Sequence, residues 1–460
     1  MTERERLSFD DVEILRLASA AIAGHTMKVI VLEPGTGPLA AEELRRHVEP
    51  RLRTEPRARR RVALAPLRLA PPVWVDDPEF VLADHVRARP GGEGLDDAGL
   101  RRVAGEIMAE RLDPGRPLWA LDVVGPLADG RTAIVARIHH AMADGIGCMR
   151  FLDALLWSAA EPGPDEAWEP ASPPSGFELA AEATRHRLAS IPAASIELGR
   201  VVASPSRWVA TGRSLAALPA ALWRELRPGA ADPELDRPLG RAREVAFADV
   251  SLADLKAIGH SRRGHVTVND VLLAAVAGGL RRWLAHGVDD AGLRAQVPVS
   301  LHHRDERPGE IGNRDSFLNV ELPVAEPDPL RRLELITAAT AKRKLDGDPD
   351  ELYDFFHALS RLRPIYRAAS RLSSGAREFA LSISNVPGPR DPLRVAGRAV
   401  ERLSTVAEPA PHHVLRVSAI SNAGRVSIGL CADPDELAGV DRLADAIEES
   451  IAELRAATSA

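Results

Sequence analysis

The segment TAIVARI, residues 132–138, is apolar at almost every position. A strand with this pattern must be covered on both faces, as are the strands of layered α/β domains. Strand-like and helix-like patterns alternate in the chain before it, in the segments TMKVIVLE, LAAEELRRHVEPRL, LDDAGLRRVAGEIMAERL and LWALDVVG. The sequence therefore predicts an α/β fold, with a hairpin through PLADGR between LWALDVVG and TAIVARI.

A change of composition divides the chain after this region. Residues 161–176 are rich in proline and acidic residues, and short helical patterns follow them up to residue 240. A second alternating region then continues to the helix-like DRLADAIEESIAEL near the end. Because 460 residues exceed one hydrophobic core, we expect an N-terminal domain over residues 1–160, a crossover over 161–240 and a C-terminal domain over 241–460.

Charge and cysteine content argue against several classes of protein. A net charge of −7 is unlike that of nucleic-acid-binding proteins, which are usually basic. The two cysteines, Cys148 and Cys431, imply no disulfide framework and fit a reducing cytoplasm. The N-terminus lacks a signal peptide's apolar core, and the longest apolar run, residues 271–280, is too short to span a bilayer. We expect a cytoplasmic protein, with peripheral association at the inner membrane or lipid droplets left open.

Two adjacent histidines, His139 and His140, follow the apolar strand, and Asp144 and Gly145 come shortly after them. Because side chains alternate along a strand, one imidazole is expected to pack inward while the other faces a cleft. A neutral imidazole can remove a proton from a hydroxyl or a thiol. Three alternatives stay open here: a pair of core histidines, a metal site, for which no third ligand stands near at ligand spacing, and a dyad with Cys148.

The string HHAMADG, residues 139–145, resembles the HHxxxDG motif of the acyl-CoA-dependent acyltransferase superfamily. That superfamily includes chloramphenicol acetyltransferase and peptide-synthetase condensation domains. Further blocks are similar, in the same order, to those of the bacterial wax ester synthase/diacylglycerol acyltransferase family: PPVWVDDPEFVLADHV, LDPGRPLW, VNDVLLAAVAGGLRRWL, VPVSL, IGNRDS and SISNVPGP. The resemblance covers the chain from about residue 7 to the C-terminus.

The resemblance implies a reaction and a set of site residues. His140 would be the general base in the transfer of a fatty acyl group from acyl-CoA, the co-substrate, to diacylglycerol or a long-chain alcohol, without a bound cofactor or a metal. His139 would support the local structure, Asp144 would hold the turn through a buried arginine, and Asn269 and Gly145 would bind substrate. Residues with an expected structural role are Asp270, Trp119, Asn385, Pro387 and Gly388.

The same resemblance implies the architecture. We expect two chloramphenicol-acetyltransferase-like mixed α/β domains, joined by a long crossover, with an active-site tunnel between them. His140 is expected to lie in that tunnel.

Three positions depart from the family pattern. Met27-Lys28 stands where the family usually has Met-His, His302-His303 follow VPVSL where arginine is common, and Ser421-Asn422 replaces Ser-Tyr. These departures leave the histidine motif intact but make the acceptor less predictable. An acyltransferase for a specialised alcohol or a polyketide, and a catalytically silent lipid-binding relative, therefore stay as alternatives.

Several other clusters have structural interpretations. Asn269 and Asp270 precede an apolar-periodic helix and suit N-cap positions there. The pairs His302-His303 and His412-His413 are interpreted as core histidines that bind backbone carbonyls.

An arginine-rich segment and two tryptophans of the crossover suit either ligand or membrane binding or a structural role. Six arginines lie in RLRTEPRARRR, residues 51–61, and we interpret them as a solvated helix end rather than as a coenzyme A phosphate site. Trp208 and Trp223 in the crossover suit either a membrane interface or packing against the two halves.

Overall fold

The computed structural model describes most of both halves of the chain. The described residues fall in four ranges: 4–157, 168–185, 234–345 and 379–459. Within the first range, residues 20, 36 and 67–69 are not described. Within the third, residues 262–264, 285–292 and 301–314 are not described. Most of the expected crossover therefore lies outside the described residues, as does the pair His302-His303.

Strands and helices alternate along the described chain. The strands are β1 (His25–Leu32), β2 (Arg60–Ala63), β3 (Val73–Asp76), β4 (Val86–Ala88), β5 (Trp119–Val124), β6 (Thr132–His139), β7 (Glu244–Ser251), β8 (Leu293–Ser300), β9 (Asp315–Leu322), β10 (Leu381–Val386), β11 (Arg394–Val395), β12 (Arg398–Ala407), β13 (Leu415–Asn422) and β14 (Arg425–Ala432). The helices are α1 (Phe9–Leu17), α2 (Ala41–Val48), α3 (Leu82–His85), α4 (Asp97–Ala109), α5 (Gly145–Leu152), α6 (176–185), α7 (Leu252–His260), α8 (Val268–Trp283), α9 (Pro329–Leu345) and α10 (Val440–Ser459).

Two six-stranded sheets and a two-stranded sheet of β2 and β3 contain these strands, and the predicted α/β fold with two sheet-containing domains is confirmed. The first sheet has the order β11-β12-β1-β6-β5-β4, and the predicted hairpin joins β5 and β6 as antiparallel neighbours. The second has the order β7-β14-β13-β10-β8-β9, in which β10 runs parallel to both β13 and β8. In the first sheet β4 runs parallel to β5, so both sheets are mixed.

Strand β6 is buried on both faces, as its apolar sequence predicts. One face, with Ile134, Ala136 and Ile138, packs into the apolar cluster that contains α5. The opposite face, with Ala133 and Val135, packs against α4. The helix-covered strand thus carries the histidine pair at its end, with one apolar cluster on each side.

The first sheet takes strands from both halves of the chain. β12 pairs antiparallel with β1, although its residues come after position 390, and β11 pairs with β12 beyond it. β12 also lies against the second sheet: Ser427 Oγ donates to Ser404 Oγ at 2.9 Å, and a Cβ on Gly429 would lie 1.9 Å from the Thr405 carbonyl oxygen. The boundaries at residues 160 and 240 stay a prediction, since the first sheet is not built from one continuous segment.

Candidate active site

The histidine pair lies in a strand-turn-helix unit that backbone hydrogen bonds define. The amide of His139 donates to the Leu118 carbonyl at 3.0 Å, and the amide of His140 donates to the Gly24 carbonyl at 2.9 Å. Asp144 is the N-cap of α5, and its carboxylate accepts a hydrogen bond from the Gly147 amide at 2.6 Å. This cap begins the helix directly after the turn and so fixes where the turn ends.

His139 is buried and held in one orientation. Its Nδ1 accepts a hydrogen bond from the Ala141 amide at 3.1 Å, and it is 4% exposed. Gly24 packs against the ring so closely that a Cβ there would lie 2.7 Å from Nε2. Burial, with the charge of Arg111, lowers the pKa of His139 to about 4. The neutral, immobilised ring suits the supporting role that was predicted for it.

The Gly24 segment is itself anchored by a buried ion pair that the sequence did not reveal. Glu408, directly after β12, accepts hydrogen bonds from the Ala23 amide at 2.9 Å and the Gly24 amide at 2.7 Å. Arg243 donates to the same carboxylate at 3.1 Å. Burial raises the pKa of Glu408 in spite of these donors. Residues from the C-terminal half thus hold the backbone against which both histidines rest.

His140 keeps part of its surface accessible to solvent, unlike His139. Burial lowers its pKa to about 3, and the positive charges of Arg416, His139 and Lys28 add to the effect. The ring is therefore neutral at pH 7, so that one of its two nitrogens carries no proton and can accept one, as a general base must. The His140 amide binds the Gly24 carbonyl, and Gly24 is held by Glu408 directly after β12, so His140 lies beside the strand of the first sheet that contacts the second.

Gly145, the first residue of α5, lies close to the second sheet. A Cβ at this position would lie 3.0 Å from Val386 Cγ2, at the end of β10. The absence of a side chain lets α5 begin directly against the second sheet. Gly145 thus packs against an element of the C-terminal half, while a tunnel between the domains stays a prediction.

Lys28 is buried in the first sheet on the His140 side. It is 2% exposed, and its Nζ donates to Thr405 Oγ1 at 2.7 Å and to Thr26 Oγ1 at 3.2 Å. Burial lowers the pKa of this ammonium group. In the sequence, the signal for this residue is the departure from the family's Met-His at Met27-Lys28.

Cys148 does not form the alternative nucleophile pair. The residue lies in α5 and is fully buried, and its thiol donates to the Ala143 carbonyl at 3.5 Å. Burial raises the pKa of the thiol to about 12, so the thiolate is not populated near neutral pH.

The helix that follows position 267 is capped differently from the prediction. Thr267 is the N-cap of α8, and Asp270 is its third helical residue, in a reciprocal capping box with Thr267. The prediction that Asn269 and Asp270 occupy the N-cap was wrong, because the Thr267–Asp270 pair satisfies two amides at once. Asp270 also accepts a hydrogen bond from Thr340 Oγ1 at 2.7 Å, which joins α8 to α9. Asn269 is half-buried in the first turn, and its contact with substrate stays a prediction.

The loop after β10 is fastened to the second sheet. Asn385 and Pro387 are exposed, whereas Gly388 donates its amide to Ser421 Oγ at 3.2 Å. A Cβ on Gly388 would lie 2.0 Å from the Ser421 carbonyl oxygen, so only glycine fits this close approach. Trp119 begins β5, is 1% exposed, and donates its indole N–H to the Ala58 carbonyl at 2.8 Å. Gly388 and Trp119 thus have contacts that shape the fold around the motif.

Comparison with known proteins identifies the family. The wax ester synthase/diacylglycerol acyltransferase catalytic domain matches residues 7–272, and the C-terminal domain of the same family matches residues 311–455. The chain belongs to this family. A probable diacylglycerol O-acyltransferase of Mycobacterium tuberculosis is 31% identical over 421 residues, which are 88% of this chain and 86% of the relative. A putative diacylglycerol O-acyltransferase of the same organism is 29% identical over 471 residues, with 98% and 90% covered.

Solved structures share the fold of this wax ester synthase/diacylglycerol acyltransferase family member. The wax ester synthase/diacylglycerol acyltransferase from Marinobacter aquaeolei VT8 superposes with a TM-score of 0.68 and 21% identity, covering 99% of this chain and all of that one. The first condensation domain of the CDA synthetase gives a TM-score of 0.58 and 16% identity, with 100% and 97% covered. The expected chloramphenicol-acetyltransferase-like architecture is confirmed by these likenesses.

The arginine-rich segment of this family member is engaged with protein groups. Arg57 pairs with Glu5, Arg60 with Asp76 and Arg61 with Asp77, and the Arg59 guanidinium lies 4.9 Å from the ring centre of Trp168. These four arginine side chains thus bind carboxylates or an aromatic ring of the protein itself. The segment accordingly offers little free charge to a phosphate group.

The pair His412-His413 is only partly a core pair. His413 is buried, but its ring binds the Asp236 carboxylate at 3.2 Å and not a backbone carbonyl. His412 is exposed. The prediction of two core histidines was therefore right for the burial of His413 and wrong for His412.

Within the described ranges, no cluster of three histidine, cysteine or acidic side chains suits a metal ion. Among those same residues, no helix combines the length and apolar character needed to cross a membrane. Trp208 and Trp223 lie outside the described residues.

Proposed function

We propose that the chain transfers a fatty acyl group from acyl-CoA to the hydroxyl of diacylglycerol, or to that of a long-chain alcohol. The observation that carries this proposal is the position of His140: a half-buried residue of the family motif with a neutral imidazole, beside the strand of the first sheet that contacts the second. Because the ring is not protonated at pH 7, it can accept the acceptor's proton.

In the proposed reaction, His140 takes the proton of the acceptor hydroxyl while the oxygen attacks the thioester carbonyl carbon. The carbonyl electrons move onto oxygen, and the tetrahedral intermediate then collapses with cleavage of the carbon–sulfur bond. The coenzyme A sulfur leaves and receives the proton from the His140 imidazolium. No covalent acyl-enzyme forms, and the products are the ester and free coenzyme A.

Four residues serve His140 in this proposal. His139 fixes the backbone of the turn, and Asp144 holds the turn against α5 by its cap. Gly145, where α5 packs closely on Val386, and Asn269, in the first turn of α8, are assigned to substrate, with Asn269 binding the reacting carbonyl. An N-terminal helix end favours developing negative charge, which supports the role given to Asn269.

The proposed reaction uses acyl-CoA as co-substrate and neither a bound cofactor nor a metal ion. EDTA is therefore expected to leave the rate unchanged, and strong inhibition by EDTA would support a metal-dependent mechanism instead. Diacylglycerol and long-chain alcohols are water-insoluble, so we place the enzyme at a lipid surface, the inner membrane or a lipid droplet. A panel of acceptors with palmitoyl-CoA would rank diacylglycerol against long-chain and specialised alcohols.

The proposal is tested by measuring coenzyme A release from palmitoyl-CoA plus diolein with a thiol reagent. His140→Ala is expected to lower the rate by about 10²–10⁴-fold, the usual contribution of a positioned base. His260→Ala, at an exposed position at the end of α7, is the matched control and is expected to match the wild type. If wild type and His140→Ala release coenzyme A at the same background rate, the chain is instead a catalytically silent lipid-binding relative.

A further inference from the structure

An apolar cavity of about 600 Å³ lies beside the first sheet, apart from the histidine motif. Its walls come from α1, β2 and two loops, and they include Val12, Leu15, Val62, Pro72 and Leu118. The volume falls in the range of small-molecule sites, which are about 300–1,000 Å³. A wall of aliphatic side chains and prolines fits a hydrocarbon chain and offers little to a polar ligand.

The cavity is on the His140 side of the first sheet. Val12, Leu15 and Val62 pack against the same apolar cluster as Ile138 and the helix α5 that follows the histidine motif. Its inner wall, Leu118, provides the carbonyl that accepts the hydrogen bond from the His139 amide. A chain lying in the cavity would thus end beside the strand that carries the candidate base.

Three large apolar side chains are exposed on segments that line or adjoin this cavity. Leu64 is part of the lining and is 62% exposed, and Leu17, at the end of α1, is 56% exposed. Phe177, at the start of α6, is 83% exposed. It follows Gly176, where a Cβ would lie 3.9 Å from Pro66 Cγ, close to Leu64. Exposed apolar groups on neighbouring segments are typical of a surface that binds a membrane or another apolar partner.

The charges near the mouth favour an uncharged lipid surface over an anionic one. Arg16, which also lines the cavity, is exposed and pairs with Glu13 in the same helix. The nearby Arg4 pairs with Glu182 of α6, and the arginines of residues 57–61 are engaged as described above. Since these cations have partners within the protein, binding would come from insertion of apolar side chains rather than from attraction to anionic headgroups.

We propose that Leu17, Leu64 and Phe177 dock the enzyme on a neutral lipid surface and that the cavity receives a hydrocarbon chain of the acceptor lipid from that surface. This inference rests on the proposed acyltransferase function for the identity of the acceptor. The acyl-CoA donor dissolves in water, so the acceptor is the substrate that must be drawn from the lipid phase. Docking itself requires no turnover and is measured separately.

The docking face is tested by flotation of the full-length protein with vesicles of phosphatidylcholine and diolein. Leu17→Glu and Phe177→Glu are each expected to lower the vesicle-bound fraction at least about tenfold, because each buries a charge where an apolar group inserted. Leu335→Glu, another exposed apolar position on α9, is the matched control and is expected to float like wild type. Thermal unfolding of each variant shows whether the fold is kept.

Three outcomes of flotation would overturn the docking face: unchanged binding by Leu17→Glu and Phe177→Glu, an equal loss by Leu335→Glu, or binding that requires anionic lipid. Raising the salt to about 0.5 M is expected to leave flotation unchanged, since screening weakens only charge attraction. His140→Ala is expected to float like wild type. An inactive protein that still floats through this face would contradict the proposed function and leave the docking face standing.

The cavity is tested by filling it with Leu15→Trp, a change on the half-buried inner face of α1. We expect the KM for long-chain alcohols to rise at least about fivefold, and the KM for hexanol to change much less, because only a long chain reaches the filled space. Palmitoyl-CoA and octanoyl-CoA are expected to respond alike. A response that follows the donor's chain length, or no response to either chain, would overturn the assignment of the cavity to the acceptor.

Discussion

Lys28 on β1 donates a hydrogen bond to Thr405 on β12 at 2.7 Å, although the two residues are 377 positions apart in the chain. Lys28 donates a second hydrogen bond to Thr26 Oγ1, so the partners of this buried ammonium group are two neutral hydroxyls. Hydroxyls compensate only part of the free energy needed to bury a charge. The lowered pKa of Lys28 follows from that cost.

Replacement of Lys28 by methionine is therefore expected to raise the free energy of unfolding at pH 7, on the order of 1 kcal/mol or more. Because the folded pKa lies below the ordinary value of 10.5, the unfolded chain binds more protons than the folded one between those two values. Wild-type stability thus rises with pH through this interval, and the difference between Lys28→Met and wild type shrinks as pH approaches 10.5.

Urea unfolding of both proteins from pH 7 to 10.5 measures this difference. Lys256→Met, at an exposed position on α7, is the matched control. A Lys28→Met protein that is less stable than wild type at pH 7 would show that the two threonine hydroxyls compensate the charge fully.

The low pKa of His140 predicts an unusual pH profile. With a value of about 3, the ring stays neutral down to pH 4, so kcat/KM is expected to be level between pH 5 and 8. A histidine with an ordinary pKa near 6.5 would lose about thirtyfold in rate by pH 5. Initial rates with palmitoyl-CoA and a soluble alcohol, with folding checked by fluorescence at each pH, distinguish the two. An acid limb near pH 6.5 would contradict the burial of this ring.

The cap at Asp144 predicts different effects for two substitutions. Asp144→Ala removes the acceptor of the Gly147 amide and is expected to cost about 1 kcal/mol of unfolding free energy. Asp144→Asn keeps an oxygen that can accept the same hydrogen bond and is expected to be close to wild type in stability. Any loss of coenzyme A release in Asp144→Asn then reports on the carboxylate charge, and so on the predicted arginine pairing.

Gly388 predicts a steric effect on the loop after β10. Gly388→Ala places a Cβ 2.0 Å from the Ser421 carbonyl oxygen, which forces the loop away from β13 and is expected to cost about 1–3 kcal/mol. Gly37→Ala is the control, because a Cβ at Gly37 meets nothing within 4 Å. Denaturant unfolding of both variants measures the difference. Equal stabilities would mean that the loop can shift without loss of packing.

Local patterns of the sequence predicted the centre of the first sheet well. The apolar run of β6 and the helical period of α4 appear in the structure within a few residues of their expected bounds. The alternation along β6 also predicted that His139 and His140 would differ in burial. These features depend on neighbours in the sequence, where periodicity carries the information.

Long-range relationships were not predictable in the same way. β12 was not anticipated as a strand of the first sheet, because its partner β1 lies far away in sequence and nothing within either segment specifies the pairing. The burial of Lys28 follows from that pairing. The capping error at α8 has a local cause: Thr267, Asn269 and Asp270 all suit a cap, and the reciprocal Thr267–Asp270 hydrogen bonds decide between them.

The place of β12 in the first sheet also bears on how the chain is made. During synthesis, β1 and β6 emerge long before their sheet can be completed, so the free edge of β1 stays open to other strands in the meantime. In a nascent chain halted before residue 398, this edge of β1 would have no β12 to pair with. The Gly24 amide would also lack the Glu408 carboxylate, and Gly24 is the residue whose carbonyl binds the His140 amide. The segment that supports His140 therefore cannot make its final contacts before residue 408 has been synthesised.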